Sequence, residues 1–215
     1  MKKSMALAFA LCALPALAQS QSASVLYSQL TSRDALFNGH KLSTDDSRGF
    51  ALRYGHDIAS LPRLWDARLA FEGTWMPRTS GEDVLADGKL LGGAQTQVLY
   101  RHEYLGLGLS VAWTKTVDFG AALELRHESN ALRIESPQNT LHMEGSITRP
   151  WLSLRGGYTF AAGSVKPFVA LECNLALAKK QKTFDLAQGE LGMFLVLPQN
   201  LNPKSQFAVN AGVRF

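Results

Sequence analysis

Cysteine is scarce in this sequence, since the chain of 215 residues contains only Cys12 and Cys173. Only Cys173 lies outside the N-terminal leader that we expect at residues 1–18, so the rest of the chain cannot close an internal disulfide. A fold stabilised by disulfides is therefore excluded. The five histidines lack the spacing of metal ligands, and we expect neither a metal site nor a cofactor.

An excess of charge of one sign is also absent. The formal net charge is +4, and once Lys2 and Lys3 are set aside, 20 basic residues face 18 acidic ones. This near balance gives no support to a nucleic-acid partner.

Long apolar runs are missing as well. Beyond the first eighteen residues, no stretch reaches the roughly 18 consecutive apolar residues of a membrane helix. Only helices and closed β-barrels satisfy every backbone N–H and C=O group in lipid. If this chain lies in a membrane, it must therefore cross it with the strands of a closed sheet.

The first residues are typical of a secretory signal peptide. Lys2 and Lys3 precede an apolar run from Met5 to Leu14, and Ala16-Leu17-Ala18 forms an A-x-A-like cleavage site. We discard a lipoprotein signal, because the apolar run continues past Cys12. We expect a cleaved signal peptide at 1–18 and one exported domain at 19–215.

Alternation of apolar with small or polar residues dominates the rest of the chain. A period of two residues is typical of a β-strand with one apolar face. The last strand shows this most clearly, because the apolar set Phe207, Val209, Ala211, Val213 and Phe215 alternates with Ala208, Asn210, Gly212 and Arg214.

Eight such segments are separated by connections that alternate in length. Four long and three short connections are what an eight-stranded barrel needs when both chain ends lie in the periplasm. We therefore predict an all-β fold, a single antiparallel up-and-down transmembrane β-barrel in the bacterial outer membrane. The predicted strands are 22–30, 47–57, 63–76, 94–114, 117–132, 148–160, 164–179 and 205–215. The predicted long connections are 31–46, 77–93, 133–147 and 180–204, and the short ones are 58–62, 115–116 and 161–163.

The fourth predicted strand contains a change of phase. Val98 and Tyr100 are at even positions, whereas the apolar residues from Leu105 to Trp113 are at odd positions. A β-bulge near Tyr104 would reconcile the two halves. The alternative is a ten-stranded barrel with a turn at 103–106 and an extra strand within 183–197.

The two faces of the strands predict a girdle and a lumen. Trp65 and Trp75 would bracket one strand, roughly 25 Å apart along the membrane normal. The interior of an eight-stranded barrel is only wide enough for side chains, and buried charges must be paired, so we expect a salt-bridged plug. The expected lumen residues are Arg53, Asp57, Asp66, Arg68, Glu72, Arg101, Glu103, Glu124, Arg126, Arg155, Lys166, Glu172 and Arg214.

As an architecture, the mature chain resembles the small outer-membrane barrel families, such as the outer membrane protein X and opacity-type proteins. Its last strand, ending at Phe215, looks like the signal that the barrel-assembly machinery reads in such families. The resemblance implies contact with outer-membrane lipid and lipopolysaccharide, and we expect a monomer. Lys179, Lys180 and Lys182 either contact lipopolysaccharide phosphates or form a solvated rim.

One local stretch, His127-Glu128-Ser129-Asn130-Ala131, is similar to the His-x-Ser-Asn-Ala stretch of the outer-membrane lipid A 3-O-deacylases. In that family the His is the base, the Ser is the nucleophile and a Glu on the next strand orients the His. The resemblance implies these roles for His127, Ser129 and, as the nearest candidate acid, Glu144. The motif lies on the penultimate strand in that family, whereas some three predicted strands follow it here. The alternative is a strand that leaves the membrane, where polar residues are expected.

Three function hypotheses follow. The first, which we adopt as our prediction, is a non-enzymatic integral outer-membrane barrel whose outward loops carry recognition, since binding residues concentrate on loops of rigid scaffolds. The second is a lipid A or phospholipid acyl hydrolase that uses Ser129 and His127. The third is a narrow conduit for small hydrophobic molecules.

Overall fold

The computed structural model describes most of the chain from residue 20 onwards. The predicted signal peptide, the predicted extra strand within 183–197 and the three residues Lys179, Lys180 and Lys182 lie outside the described residues. Among the residues described, no helix is long and apolar enough to cross a membrane. The described residues are 20–31, 35–37, 40–44, 47–79, 82–90, 97–114, 116–138, 140–160, 163–177 and 203–215.

Twelve strands make up the described structure. Eight of them form a barrel, and the other four lie in its connections. In chain order the strands are β1 (Gln21–Thr31), β2 (Ala35–Phe37), β3 (His40–Thr44), β4 (Ser47–Leu61), β5 (Ala67–Met76), β6 (Glu82–Ala86), β7 (Lys89–Leu90), β8 (Gln97–Thr114), β9 (Val117–Glu135), β10 (Thr140–Thr159), β11 (Lys166–Ala176) and β12 (Ser205–Arg214).

The eight long strands form a closed antiparallel ring. Each pairs with its neighbours in the order β9-β10-β11-β12-β1-β4-β5-β8, and the β8–β9 pairing closes the ring. Between the first and last strands, the Gln21 amide donates to the Phe215 carbonyl at 2.8 Å, and the Phe215 amide donates to the Gln21 carbonyl at 2.9 Å. The predicted eight-stranded up-and-down barrel is therefore confirmed.

The barrel has two unlike ends. The turn end holds Gln21 and Phe215 and the described residues of the short connections, 62–66, 116, 160 and 163–165. The loop end holds the described residues of the other connections. There, β3 pairs with β6, β6 pairs with β7, and β6 also pairs with the start of β8. Val84, Val98 and Tyr100 are buried at this end, so the described segments of these loops form β-structure that packs on the barrel.

Apolar side chains point outward and polar ones inward, which reverses the pattern of a water-soluble sheet. On β9, Phe119, Leu123 and Leu125 are exposed, whereas Glu124 and Arg126 between them are buried. An exposed apolar band around a closed barrel is the surface that a bilayer covers. Trp75, which was predicted for a girdle, is on this surface, and the outward aromatic residues Tyr54, Trp113, Tyr158 and Phe215 are also on it or at its border.

One predicted girdle position is wrong. Trp65 is not on a strand, because Pro62 begins a short 3-10 turn and Trp65 and Asp66 take left-handed φ angles of 52° and 58°. β5 therefore begins at Ala67, four residues later than predicted. Trp65 is exposed in the connection at the turn end, where the Leu64 carbonyl accepts a hydrogen bond from Trp113 Nε1 at 2.9 Å.

The predicted bulge at Tyr104 is also wrong, and so is the turn that a ten-stranded barrel would place at 103–106. β8 pairs with β9 in one register from Gln97↔Glu135 to Thr114↔Asp118. The even face looks inward throughout, since Tyr100 and Tyr104 are both buried. What changes along β8 is the polarity of its outward face, which becomes polar where the strand leaves the apolar band.

The predicted connection 133–147 is in fact mostly strand. β9 extends to Glu135 and β10 begins at Thr140, so the two form a hairpin that extends well past the apolar band. Their 19 paired positions run from Thr140↔Glu135 to Tyr158↔Val117. The register shift that the structure does contain lies between Asp57 and Ala59, in the β4–β5 pairing at the turn end.

Leu123 and Leu90 provide a matched test of the membrane-facing surface. Leu123 is 57% exposed on the outward face of β9, and Leu90 is 59% exposed in β7 at the loop end. Because an arginine near the bilayer midplane of a barrel costs about 2–4 kcal/mol, we expect Leu123→Arg to lower the free energy of unfolding by that amount. Leu90→Arg should change it by no more than about 0.5 kcal/mol. The measurement is guanidinium unfolding in lipid vesicles, and equal losses for the two variants would contradict the assignment.

Candidate functional site

Ion pairs fill the middle of the lumen. Arg155 binds Glu72 through two parallel hydrogen bonds, from Nη1 to Oε1 at 2.6 Å and from Nη2 to Oε2 at 2.7 Å. Arg53 Nη1 donates to Glu172 Oε1 at 2.5 Å, and Asn210 Nδ2 donates to the same oxygen at 2.8 Å. These side chains come from β4, β5, β10, β11 and β12, so the pairs tie strands together across the barrel.

A second cluster lies closer to the loop end. Arg149 donates to both carboxylate oxygens of Glu128 at 2.7 Å, and Trp151 Nε1 donates to Glu128 Oε1. The Arg126 guanidinium lies between two aromatic rings, 4.4 Å from the centroids of Tyr104 and Trp151. All five side chains are buried, so the cluster packs inside the barrel at this level.

The pairing explains how so many charges can be buried. An unpaired ion in a low-dielectric interior is very costly, and bidentate pairs with guanidinium groups are among the strongest hydrogen bonds in proteins. At the turn end, Arg214 Nη1 likewise donates to Asp118 Oδ2 at 2.8 Å. The acidic and basic side chains inside the barrel are thus arranged in pairs, which fits the balance of acidic and basic residues on the inward faces.

Most of the residues expected in the lumen are on inward faces of the strands or at the turn end of the barrel. Inside the barrel are Arg53, Glu72, Glu124, Arg126, Arg155, Glu172 and Arg214, and Asp57 and Arg68 line its turn end. Lys166, at the first position of β11, is exposed at the turn end.

Three expected lumen residues are elsewhere. Asp66 is in the turn before β5. Arg101 and Glu103 are on the outward face of β8, because no bulge switches the alternation. Three charged lumen residues were missed, Asp118, Glu128 and Arg149. Their signal was present in the alternation, since Arg149, like Arg155, has the opposite parity to the apolar residues Leu152 and Leu154 of β10.

His127 and Ser129 are on the outward face of β9, just beyond its apolar stretch. The spacing of two residues places both on one face. His127 Nδ1 lies 2.9 Å from Thr148 Oγ1. Across the strand pairs, Ser129 is opposite Glu103 on β8 and Ser146 on β10. The base and nucleophile roles suggested by the resemblance stay predictions.

Glu144 is on the outward face of β10 but belongs to a different cluster. Its Oε1 lies 2.9 Å from His142 Nε2 and accepts a hydrogen bond from Arg78 Nη2 at 3.2 Å. Arg78 Nη2 also donates to Glu103 Oε1 at 3.4 Å. The strand register places Glu144 opposite Ala131, and it places Thr148 opposite His127. The carboxylate is therefore engaged with His142 and Arg78.

The surroundings of Glu144, which lies outside the membrane-spanning part of β10, favour its charged form. The hydrogen bond with His142 and the positive charge of Arg78 hold the pKa of this carboxyl below its ordinary value of 4.5.

Within the described part of the chain, no group of three or more His, Cys, Asp or Glu residues is arranged to hold a metal ion.

A buried ion pair and an exposed ion pair on the same hairpin can be compared directly. Removing one partner of a buried pair leaves an uncompensated charge and costs about 3–5 kcal/mol, whereas an exposed pair contributes about 0–1 kcal/mol. We expect Glu128→Ala, which strands Arg149, to show the first loss. Glu135→Ala, which removes the exposed partner of Arg133 at 2.6 Å, should show the second. Chemical unfolding in detergent micelles measures both, and a small loss for Glu128→Ala would be inconsistent with a salt-bridged lumen.

The contacts of Glu144 with His142 and Arg78 should make the stability of the β9–β10 hairpin depend on pH. Because the pKa of Glu144 is lowered in the folded protein, its contacts stabilise the hairpin above the ordinary carboxyl range and are lost as the pH falls through the lowered value. We expect His142→Ala to raise the pKa of Glu144 more than Arg78→Ala does, since the His142 hydrogen bond is the largest cause. Carbon-detected NMR titration of the carboxyl tests this, and an unchanged pKa in His142→Ala would contradict it.

Comparison with known proteins shows that this chain is similar to some of them in fold but not in sequence family. No protein-family model and no curated protein match the sequence. Among solved structures, a major outer membrane protein from Thermus thermophilus matches with a TM-score of 0.53 and 13% identity, covering 91% of this chain and 99% of that chain. Ail, the attachment invasion locus protein of Yersinia pestis, matches with a TM-score of 0.48 and 14% identity over 93% and 100% of the two chains. Neisserial surface protein A matches with a TM-score of 0.43 and 14% identity over 94% and 98%. The chain has the fold of the small outer-membrane β-barrels.

Proposed function

We propose that this barrel is a non-enzymatic scaffold that presents its loop end for recognition at the cell surface. One observation carries the proposal: Tyr104, Arg126 and Trp151 are buried and stacked inside the barrel, which supports a filled lumen, while described segments at the loop end form β-structure. A filled lumen leaves no path for conduction, and rigidly presented loops are where binding usually resides.

The described loops offer a shaped surface with polar side chains. β6 and β7 form a hairpin whose two-residue turn, Asp87-Gly88, has φ angles of 50° and 78°, which suits a tight hairpin. Lys89 and Leu90 follow this turn and are exposed. Pre-ordered loops pay less conformational entropy on binding, which supports a recognition role.

The proposal includes the partners and processing that the sequence suggests. The polar residues just outside the apolar band would meet lipopolysaccharide, and the C-terminal strand ending at Phe215 would be read by the barrel-assembly machinery after export and removal of residues 1–18. The closed ring, with β1 paired to β12, needs no second copy to cover a strand edge, which supports a monomer.

A deacylase-like hydrolase is the second candidate, because His127 and Ser129 share an outward face next to the apolar band, where acyl chains lie. In the folded protein the acid named for that role, Glu144, contacts His142 and Arg78, and Thr148 is the neighbour of His127. A base that lacks an orienting acid is a weaker catalyst, which is why we place this function second.

Acyl release from lipid A in mixed micelles separates the two functions. We expect no release above background from the wild type and no change in Ser129→Ala. Ser146→Ala, which removes the hydroxyl opposite Ser129 on β10, is the matched control. Release that disappears in Ser129→Ala but persists in Ser146→Ala would overturn the proposal. Planar-bilayer recording completes the test, since steady conductance would contradict a filled lumen.

A further inference from the structure

The connection between β4 and β5, the turn 62–66, has an apolar tip. Leu64 and Trp65 are 47% and 81% exposed in it. Among the described residues, no other large apolar side chain is as exposed as Trp65. Because an indole ring favours the boundary between lipid and water, this exposure suits a turn that lies at the bilayer surface.

A hydrogen bond holds this turn on the lipid side of the barrel wall. Trp113 is on the outward face of β8, and its Nε1 donates to the Leu64 carbonyl at 2.9 Å. The next outward residues along the two paired strands are Leu69 on β5 and Val111 on β8, which lie opposite each other. The apolar tip of the turn is therefore continuous with the apolar band of the barrel.

The backbone of this turn holds two side chains in a conformation that favours glycine. Trp65 and Asp66 have φ angles of 52° and 58°, and such values are uncommon for a residue with a side chain and rare for a bulky one. Elsewhere at the turn end, a positive φ angle of 56° falls on Gly163. A side chain kept at a costly backbone position motivates the search for a function, and here those side chains are an indole ring and a carboxylate.

Two charges of opposite sign flank Trp65. Arg63 and Asp66 are both exposed, and neither forms an ion pair with another residue of the described ranges. At the same end of the barrel, Arg68 and Asp57 pair with each other at 2.9 Å. The turn thus presents a cation, an aromatic ring and an anion side by side at the edge of the apolar band.

We propose that the turn 62–66 binds a zwitterionic glycerophospholipid, whose headgroup carries a phosphate and an ammonium group. Arg63 binds the phosphate, since guanidinium groups form strong charge-assisted hydrogen bonds with phosphate oxygens. Asp66 binds the ammonium group, and Leu64 and Trp65 pack against the glycerol and the first acyl carbons. A headgroup with a net negative charge would leave Asp66 unpaired beside it. The proposal rests on the bilayer covering the apolar band, and not on the role proposed for the loop end.

Quenching by brominated lipids measures which headgroup lies next to Trp65. The full barrel is placed in vesicles that contain phosphatidylethanolamine and phosphatidylglycerol in equal amounts, with bromine on the acyl chains of one lipid or of the other. Phosphatidylethanolamine carries both headgroup charges, and phosphatidylglycerol carries only the phosphate. Each protein is compared with its own Trp65→Phe counterpart, so that the difference isolates Trp65 from Trp75, Trp113 and Trp151.

We expect brominated phosphatidylethanolamine to compete for the site about threefold better than brominated phosphatidylglycerol, which is the size of effect that an exposed ion pair gives. Asp66→Asn leaves the cation alone and should reverse this preference. Arg63→Gln leaves the anion alone and should increase it. Lys166→Gln removes an exposed positive charge elsewhere at the turn end, so it is the matched control and should leave the preference unchanged.

Asp66→Gly protects the test against misfolding of one variant. Glycine takes a positive φ angle without strain, and this variant should reverse the preference as Asp66→Asn does. Equal quenching by the two lipids in the wild type, or the same preference in the wild type and both Asp66 variants, would overturn the proposal. Loss of Trp65 quenching by both lipids would place the turn outside the bilayer and would also contradict it.

Discussion

The structure depends on one constraint, the need of every backbone amide and carbonyl group to find a partner where water is absent. The ring of eight paired strands meets it, and the contacts between β1 and β12 and between β8 and β9 remove the edges that an open sheet would leave. Closure also determines the polarity of the two faces of the sheet, because each strand must have one face towards lipid and one face towards the lumen. The apolar exterior and the ionic interior are two consequences of the same closure.

The lumen shows how charges can be stable in such an interior. Arginines on one strand reach carboxylates on others, as Arg53 reaches Glu172 and Arg155 reaches Glu72. The length of an arginine side chain suits the narrow diameter of an eight-stranded barrel, whose interior is only wide enough for side chains. The aromatic rings of Tyr104 and Trp151 stack on either side of the Arg126 guanidinium, so aromatic side chains as well as ion pairs occupy the middle of the lumen.

The strand count and most inward positions could be predicted from the sequence, because alternation reports directly which face each residue takes. The errors have local physical causes. The apolar face of β8 ends before the strand does, so Arg101 and Glu103 were placed in the lumen although the pairing with β9 is unbroken. His142 and Glu144 made the start of β10 look like a loop. Trp65 was placed on a strand because periodicity does not reveal a left-handed turn.

The candidate sites were less predictable, because they depend on contacts between distant strands. Sequence spacing placed His127 and Ser129 on one face, but it could not show that Glu144 would contact Arg78 and His142. Likewise, no local sequence pattern indicates that Arg126 lies between Tyr104 and Trp151, which belong to two other strands. The recognition role that we propose for the loop end rests on the shape of its described β-segments, which only the folded chain displays.

The most direct measurement of the central claim is nitroxide scanning of β9 in lipid vesicles, from Val117 to Arg126. We expect labels at odd positions to collide with oxygen, which dissolves in lipid, and labels at even positions to be shielded from both oxygen and a nickel chelate. Odd-position labels that collide with the water-soluble nickel chelate throughout this stretch would show that the apolar face is not in the bilayer.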